Sequence, residues 1–364
     1  MDYCRLGDSS LVVSKVCMGT MTFGRQNTLE EGVEQLNLAF DSYGINFIDT
    51  AEMYPVPTQP ETAGTTDKIV AEFLKGRKRE DVILATKVAG TSSRINWLRG
   101  EKEEMCKLNK EQIEYSIEAS LERLGTSYID LLQIHWPDRY VGGLFGQPDY
   151  DIDSENDPGV DSSFEEQLGA LNEAVKAGKV KYVGLSNETP FGVMAMCQLA
   201  KQYPDLYPKI VSIQNSYSLI VRKDYEAGLT EVCSPRNMNV GLLAYSPLAG
   251  GILSGKYAKE KVDEKARLNL FPGFMERYKD SQVEKAVAEY ANIAEKHGLT
   301  PTQLALAWCY HRSNVASSII GATSIVQLEE NLKAFDVVLE DEVMKEIEDV
   351  YKIYTDPTKA YKNK

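Results

Sequence analysis

Eight short apolar runs recur along this chain, at residues 16–18, 45–48, 82–86, 129–134, 180–185, 210–213, 240–244 and 318–320. Amphipathic stretches of helical period separate them, over 30–43, 68–74, 110–124, 164–177, 191–202, 225–233, 283–297, 301–311, 326–333 and 340–351. Strands that alternate with helices are joined by crossovers, so they lie parallel and their apolar faces must be covered by those helices. Eight such units predict an α/β fold, a (β/α)8 TIM barrel. A short N-terminal β-hairpin (3–6 with 11–13) precedes it, and extra C-terminal helices follow. The rival is a doubly wound open sheet, which needs a Gly-x-Gly-x-x-Gly turn after its first strand. Here that turn reads Gly19-Thr20-Met21-Thr22-Phe23-Gly24, with the wrong spacing. No Pro/Gly/Ser-rich linker divides the chain, so residues 1–364 read as one domain.

In a parallel barrel, the residues that close the strands ring one mouth, and catalytic groups sit there. The closing residues are Asp49, Lys87, His135, Asn187, Gln214 and Ser246, with Tyr54 five positions after Asp49. Singly, Asp49 reads equally well as a cap, Lys87 as a surface charge and His135 as a rim residue. Jointly they have matched chemistry. A tyrosine has a pKa near ~10 and is a weak acid at neutral pH. A buried lysine beside its hydroxyl is expected to lower that pKa, while a carboxylate holds the lysine charged and a histidine steers a carbonyl oxygen. The long connections 88–109, 136–163 and 246–280 fall on the same face and are expected to shape a site.

A formal net charge of −14 disfavours a nucleic-acid partner, since phosphate binding needs a basic surface. Six cysteines without a Cys-x-x-Cys pair read as free thiols of a reducing compartment. No leader, lipidation signal or run of ~20 apolar residues is evident, so a soluble cytoplasmic protein is expected, with no membrane partner. The acidic segment 149–157 reads as a solvated loop. His135, His297 and His311 lack metal-ligand spacing, so no metal is expected. His297 and His311 read as helix-end residues, Trp97 and Trp136 as pocket walls, and Trp308 as core.

The segments Phe47-Ile-Asp-Thr-Ala-Glu-Met-Tyr54, Ala85-Thr-Lys87, Gln133-Ile-His-Trp136, Gly184-Leu-Ser-Asn187, Ile213-Gln-Asn215, Tyr245-Ser-Pro-Leu248 and Gly321-Ala-Thr323 together resemble the aldo-keto reductase superfamily, in family order from about residue 3 to 355. Ala51-Glu-Met-Tyr-Pro-Val-Pro57, Ser186-Asn-Glu-Thr189 and Val350-Tyr-Lys-Ile-Tyr-Thr355 are similar to its bacterial Tas-type branch, near the potassium-channel β-subunits. The resemblance implies an NADP(H)-dependent carbonyl reductase acting on an aldehyde or ketone. Tyr54 would be its general acid, Lys87 and Asp49 its tuning pair, and His135 the carbonyl-orienting group.

It also implies the cofactor contacts. Ser186, Asn187 and Gln214 would meet the nicotinamide carboxamide, Tyr245 the ring, and Thr20 and Met21 the nearby ribose. Ser246, Pro247, Leu248, Ala249, Gly250 and Lys256 would hold the pyrophosphate. Gly321, Thr323, Gln327, Glu330 and Asn331 would hold the adenosine end. The best-known members carry a Lys and an Arg where this chain has Gly321 and Gln327, so the 2′-phosphate of NADPH would fall to Thr323, Gln327 and Arg267. An alternative is a slow-turnover, NADPH-binding regulatory subunit. A glycosidase pairing Asp49 with Glu52 or Glu188 leaves Lys87, Tyr54 and Tyr245 without roles. The particular carbonyl substrate and the oligomeric state are left open.

Overall fold

The computed structural model describes residues 1–92, 94–99, 105–143, 145, 149–154, 162–257 and 264–359. Parts of the three long connections, residues 155–157 of the acidic segment and the last five residues therefore lie outside the described residues.

Eight parallel strands close into a barrel: β3 (Val16–Gly19), β4 (Phe47–Asp49), β5 (Ile83–Val88), β6 (Ile129–Ile134), β7 (Val180–Ser186), β8 (Ile210–Ser216), β9 (Gly241–Tyr245) and β10 (Val315–Ile320). Each pairs with its neighbour in sequence, and β10 returns to β3, which disposes of the open sheet. Helices follow the strands: α1 (Leu29–Tyr43), α2 (Thr65–Lys75), α3 (Lys110–Leu124), α4 (Phe164–Lys176), α5 (Pro190–Gln202), α6 (Lys223–Glu226), α7 (Leu229–Cys233), α8 (Arg267–Leu270), α9 (Ser281–Lys296), α10 (Pro301–Tyr310), α11 (Ile325–Lys333) and α12 (Asp341–Ile353). Among the described residues, no helix is long and apolar enough to cross a membrane.

The helix limits follow local chemistry. Thr28 starts α1 with a capping box, exchanging bonds with Glu31 at both backbone and side chain, and Gly44 ends it in the left-handed conformation that glycine tolerates. The stretch expected as one helix over 225–233 is instead two, α6 and α7. Gly228 breaks it with an extended backbone, and a Cβ there would press on Pro190 at 3.0 Å.

The barrel interior is dry at its base and polar at its mouth, and the two-residue period of the strands accounts for both. Phe47, Ala85, Leu131 and Leu243 are fully buried inside, joined by Leu6, Leu11 and Val13 of the antiparallel hairpin β1 (Tyr3–Arg5) and β2 (Val12–Ser14), which plugs the bottom. Two or four residues on, the same faces present Asp49, Lys87, Gln133, His135 and Tyr245. Outside, helices α3–α5, α9, α10 and α12 cover one flank of the barrel and α1, α2 and α11 the other. Phe47→Ala would empty this interior two residues below Asp49. It is expected to cost about 3–5 kcal/mol in urea unfolding, and a loss under about 1 kcal/mol would mean the barrel closes over the gap.

Candidate active site

Lys87 lies at the centre of the mouth with no exposed surface, and each of its three ammonium hydrogens has a partner. Nζ donates to Asp49 Oδ2 at 2.6 Å, to the Thr50 carbonyl at 2.8 Å and to Tyr54 Oη at 3.4 Å. Burial works against this ammonium, but Asp49 and Tyr54 outweigh it and hold the Lys87 pKa above its ordinary value. Asp49 is equally saturated: its Oδ1 accepts from Gln133 Nε2 at 3.0 Å and Gln214 Nε2 at 2.8 Å. Because Tyr54 Oη accepts from Lys87, its own proton is left to point elsewhere. The expected lowering of the Tyr54 pKa is not what these surroundings produce. Burial is the largest influence and raises it, Lys87 offsets only part of that, and Asp49 adds to it. The phenol stays protonated.

His135 packs edge-on to Tyr54, ring centroids 5.9 Å apart. Burial, then the Lys87 charge, hold its pKa well below the ordinary histidine value, so the ring is neutral near pH 7. Its Nδ1 is buried and has no partner among the described residues. Asn187, held at φ 56°, donates to the His135 carbonyl at 2.9 Å and to Ser186 Oγ at 3.0 Å, while its Oδ1 accepts from Tyr245 Oη at 2.7 Å. Both N–H groups of Asn187 and of Gln214 are thus spent within the protein, since Gln214 also donates to Gln133 Oε1 at 2.9 Å. What each has left for a ligand is acceptor capacity on its oxygen.

These groups line one cavity of about 2550 Å³. Pockets for drug-sized ligands run to about 300–1,000 Å³, so there is room for a dinucleotide and a second molecule. Thr20, Met21, Asp49, Tyr54, His135, Ser186, Asn187, Gln214, Tyr245, Ser246, Pro247, Leu248, Gly250, Lys256, Arg267, Gly321, Thr323, Gln327, Glu330 and Asn331 all line it. Lys87 lies beneath the floor. Ala249 turns its methyl into the core, its backbone curled at φ 48°. With Ser246, Gly250 and Gly251 also left-handed, the 246–251 loop is the kind of concave backbone that receives phosphate. A Cβ on Gly251 would meet Lys256 Cε at 2.5 Å, so glycine is what lets that lysine lie against the loop.

At the far end Gln327 Oε1 accepts from Thr323 N–H and Oγ1 at 3.2 and 3.1 Å, and Asn331 Nδ2 donates to the Gly321 carbonyl at 3.3 Å. Glu330 accepts from Thr300 Oγ1 at 3.1 Å. Arg267 joins this end: its Nε donates to Gln26 Oε1 at 3.3 Å, and the adjacent Asn27 donates to the Thr323 carbonyl at 3.2 Å. Burial depresses the Arg267 pKa, and no carboxylate among the described residues pairs with it. A half-buried cation of this kind suits a phosphate.

Some participants were not evident in the sequence. Gln133 was signalled only by being polar at an inward position two before His135. Glu52 entered only as a carboxylate of the glycosidase alternative, and Arg99 gave no signal. Fully enclosed, Glu52 accepts from Arg99 Nη1 at 2.5 Å, Ser116 Oγ at 2.6 Å and Ala89 N–H at 2.6 Å, tying the loop that bears Tyr54 to connection 88–109. Trp136 lines the cavity, whereas Trp97 packs behind it, and Trp308 stacks on Tyr217 in the core. Away from the cavity, His297, Glu342 and Glu346 converge within 4.8 Å, but Lys296 bonds both carboxylates and supplies the countercharge.

The sequence profile described as the Aldo/keto reductase family matches residues 15–352. The chain is 44% identical over 358 residues to Protein tas of Escherichia coli K12, covering 98% of this chain and 99% of that one. It is 42% identical over 257 residues to an aldo-keto reductase of Babesia bovis, covering 69% and 88%. A probable voltage-gated potassium channel subunit beta of Arabidopsis thaliana is 31% identical over 343 residues, covering 93% and 92%.

Removing one partner of the enclosed Glu52–Arg99 pair leaves a buried charge. Glu52→Ala is expected to cost about 3–5 kcal/mol in denaturant unfolding, and Glu52→Leu with Arg99→Met should recover most of it. An additive double variant would show that the two charges are not coupled.

Proposed function

Since the chain belongs to the aldo/keto reductase family, whose members carry out nicotinamide-dependent oxidoreduction, we propose that it reduces an aldehyde or ketone with NADPH, and that Tyr54 is the proton donor. The observation that carries this reading is the saturated Lys87: its third hydrogen bonds Tyr54 Oη, so the phenol proton is turned outward, towards a carbonyl oxygen in the cavity. The chemistry the dinucleotide supplies when bound is a hydride for the carbonyl carbon.

The protein places and balances charge around that event. Neutral His135 supplies an N–H to orient the carbonyl oxygen. As Tyr54 gives up its proton, the fixed ammonium 3.4 Å away stabilises the phenolate, and Asp49 keeps that ammonium charged. Gln133 and Gln214 hold Asp49, and Asn187 links Tyr245 to the backbone of His135. Ser246, Pro247, Leu248, Gly250 and Lys256 would hold the pyrophosphate. Support for NADPH over NADH comes from Arg267, a cation without a carboxylate partner among the described residues that bonds Gln26, next to the Asn27 that bonds the Thr323 carbonyl. The alternative, a nucleotide-binding regulatory subunit, has support in the channel-subunit name of one relative, and the intact Asp49–Lys87–Tyr54–His135 set speaks for turnover.

Tyr54→Phe should lower kcat for 4-nitrobenzaldehyde, followed at 340 nm, by about 10²–10⁴-fold while leaving the NADPH dissociation constant nearly unchanged. Equal loss of both would make Tyr54 structural, and NADPH binding by wild-type protein without turnover would favour the regulatory reading. Reduction needs Tyr54 protonated, and burial pushes its pKa up. The protonated form therefore persists at alkaline pH, and kcat should stay level from about pH 6 to about pH 9. A fall centred between pH 7 and 8 would mean that Lys87 governs Tyr54 once the cofactor is bound.

A further inference from the structure

Five arginines line the cavity, and their partners differ. Arg139 is neutralised by Glu188, to which it donates at 2.7 and 3.0 Å. Arg25 donates to Gln59, and Arg267 donates to Gln26 while its charge also bears on Tyr54. Arg94 is exposed at the rim. Arg277 is different. It is half-buried and its charge bears on Tyr245; Asp224 acts on it from a distance, but among the described residues no carboxylate lies within ion-pair reach of it.

A line of rings leads to it from the proton donor. Tyr54 and His135 are 5.9 Å apart between centroids, His135 and Trp136 4.8 Å, and Trp136 and Phe145 6.4 Å. Arg277 Nη1 donates to the Phe145 carbonyl at 3.2 Å, and Nη2 to Tyr278 Oη at 3.2 Å. Both acceptors are neutral, and two such bonds leave most of the five guanidinium hydrogens unspent. The charge is close enough to Tyr245 to work against the burial that raises its pKa, so it bears on the same wall as Asn187 and His135.

Partial burial of a cation costs solvation, and at two other half-buried cations of this cavity a carboxylate offsets it: Glu188 for Arg139 and Asp224 for Lys359. A guanidinium held open by two neutral acceptors presents the planar fork that matches a carboxylate. The chain as a whole, at −14, repels anions, so a site for one needs such a local cation. We propose that Arg277 is the specificity-determining residue of the substrate end, and that the carbonyl substrate carries a carboxylate: an oxo-acid whose carbonyl meets Tyr54 and whose anion meets Arg277. This rests on the reductase reading above.

The test compares 3- and 4-formylbenzoate with their methyl esters, which differ in charge and little in shape. Wild-type protein with NADPH should prefer an acid over its ester in kcat/KM by about ten- to hundredfold, mostly through KM. In Arg277→Gln that ratio should fall towards one, and Arg277→Lys should restore part of it. An equal loss for acid and ester, or no preference in the wild type, overturns the proposal. So does an unchanged ratio with weakened NADPH binding, which would assign Arg277 to the cofactor. A second readout separates this inference from the reductase reading: benzoate against benzamide, titrated into the NADP⁺-loaded protein by tryptophan fluorescence. If neither aldehyde turns over yet benzoate binds in an Arg277-dependent way, the anion subsite stands and the reductase reading falls. Equal binding of benzoate and benzamide removes the subsite whatever the turnover.

Discussion

A charged lysine with no exposed surface is expensive, and the mouth of this barrel is organised around keeping one there. Solvation lost by Lys87 is returned by Asp49, the Thr50 carbonyl and Tyr54 Oη, which between them use all its hydrogens. That requirement propagates. Asp49 must stay ionised and fixed, so Gln133 and Gln214 donate to its second oxygen, and Gln214 is then oriented by Gln133. The side chain that remains with an uncommitted proton is Tyr54, and it faces the cavity. The same ammonium also helps keep His135 neutral. Burial is the larger influence on both His135 and Tyr54; the buried ammonium adds to it at His135 and opposes it at Tyr54.

Closure of the barrel makes this arrangement rigid. Asp49, Lys87, Gln133 and Gln214 come from β4, β5, β6 and β8, strands whose registers are fixed by a continuous ladder and by a dry interior beneath. Side chains on packed strands are placed more firmly than side chains on loops. The residues that must meet ligands of varied shape sit instead on connections. Tyr54 is loop-borne, Arg267 is on the four-residue α8 and Arg277 is on a one-turn 3₁₀ helix (Glu276–Tyr278), and each is tied down by a few named bonds: Glu52 to Arg99 and Ala89 near Tyr54, Gln26 for Arg267, and Phe145 for Arg277.

The resulting cavity has two electrostatic ends with unmatched cations. Arg267 bonds Gln26, whose neighbour Asn27 bonds the Thr323 carbonyl, and a phosphate of the dinucleotide would compensate it there. Arg277 is at the end of the aromatic line from Tyr54, where the proposed substrate carboxylate would do so. In a chain of net charge −14 both are local exceptions, which is how an acidic protein can still receive anions.

Much of this was legible in residue order. Apolar runs ending on polar residues identified the strands, the barrel and the four central groups, because parallel strands buried on both faces read as near-continuous apolar stretches and the chain end of each run lies at one mouth. Gly44 ends α1 where its backbone freedom allows, whereas the single helix expected over 225–233 is broken at Gly228. What residue order left open was everything that depends on distance. Whether burial or Lys87 prevails on Tyr54 turns on separations of a few ångströms and on solvent exclusion, and only the folded site decides it in favour of burial. The Glu52–Arg99 pair joins residues 47 apart across a connection with no periodicity to read. Arg277, unmarked in the long connection 246–280, takes its meaning from its bonds to Phe145 and Tyr278 and from having no carboxylate within ion-pair reach among the described residues. Sequence by itself determined which groups could do chemistry and which end of the barrel would hold them, since those follow from local pattern. The tertiary structure alone decided which charges are compensated, because electrostatic energy depends on where charges meet rather than on where they stand in the chain.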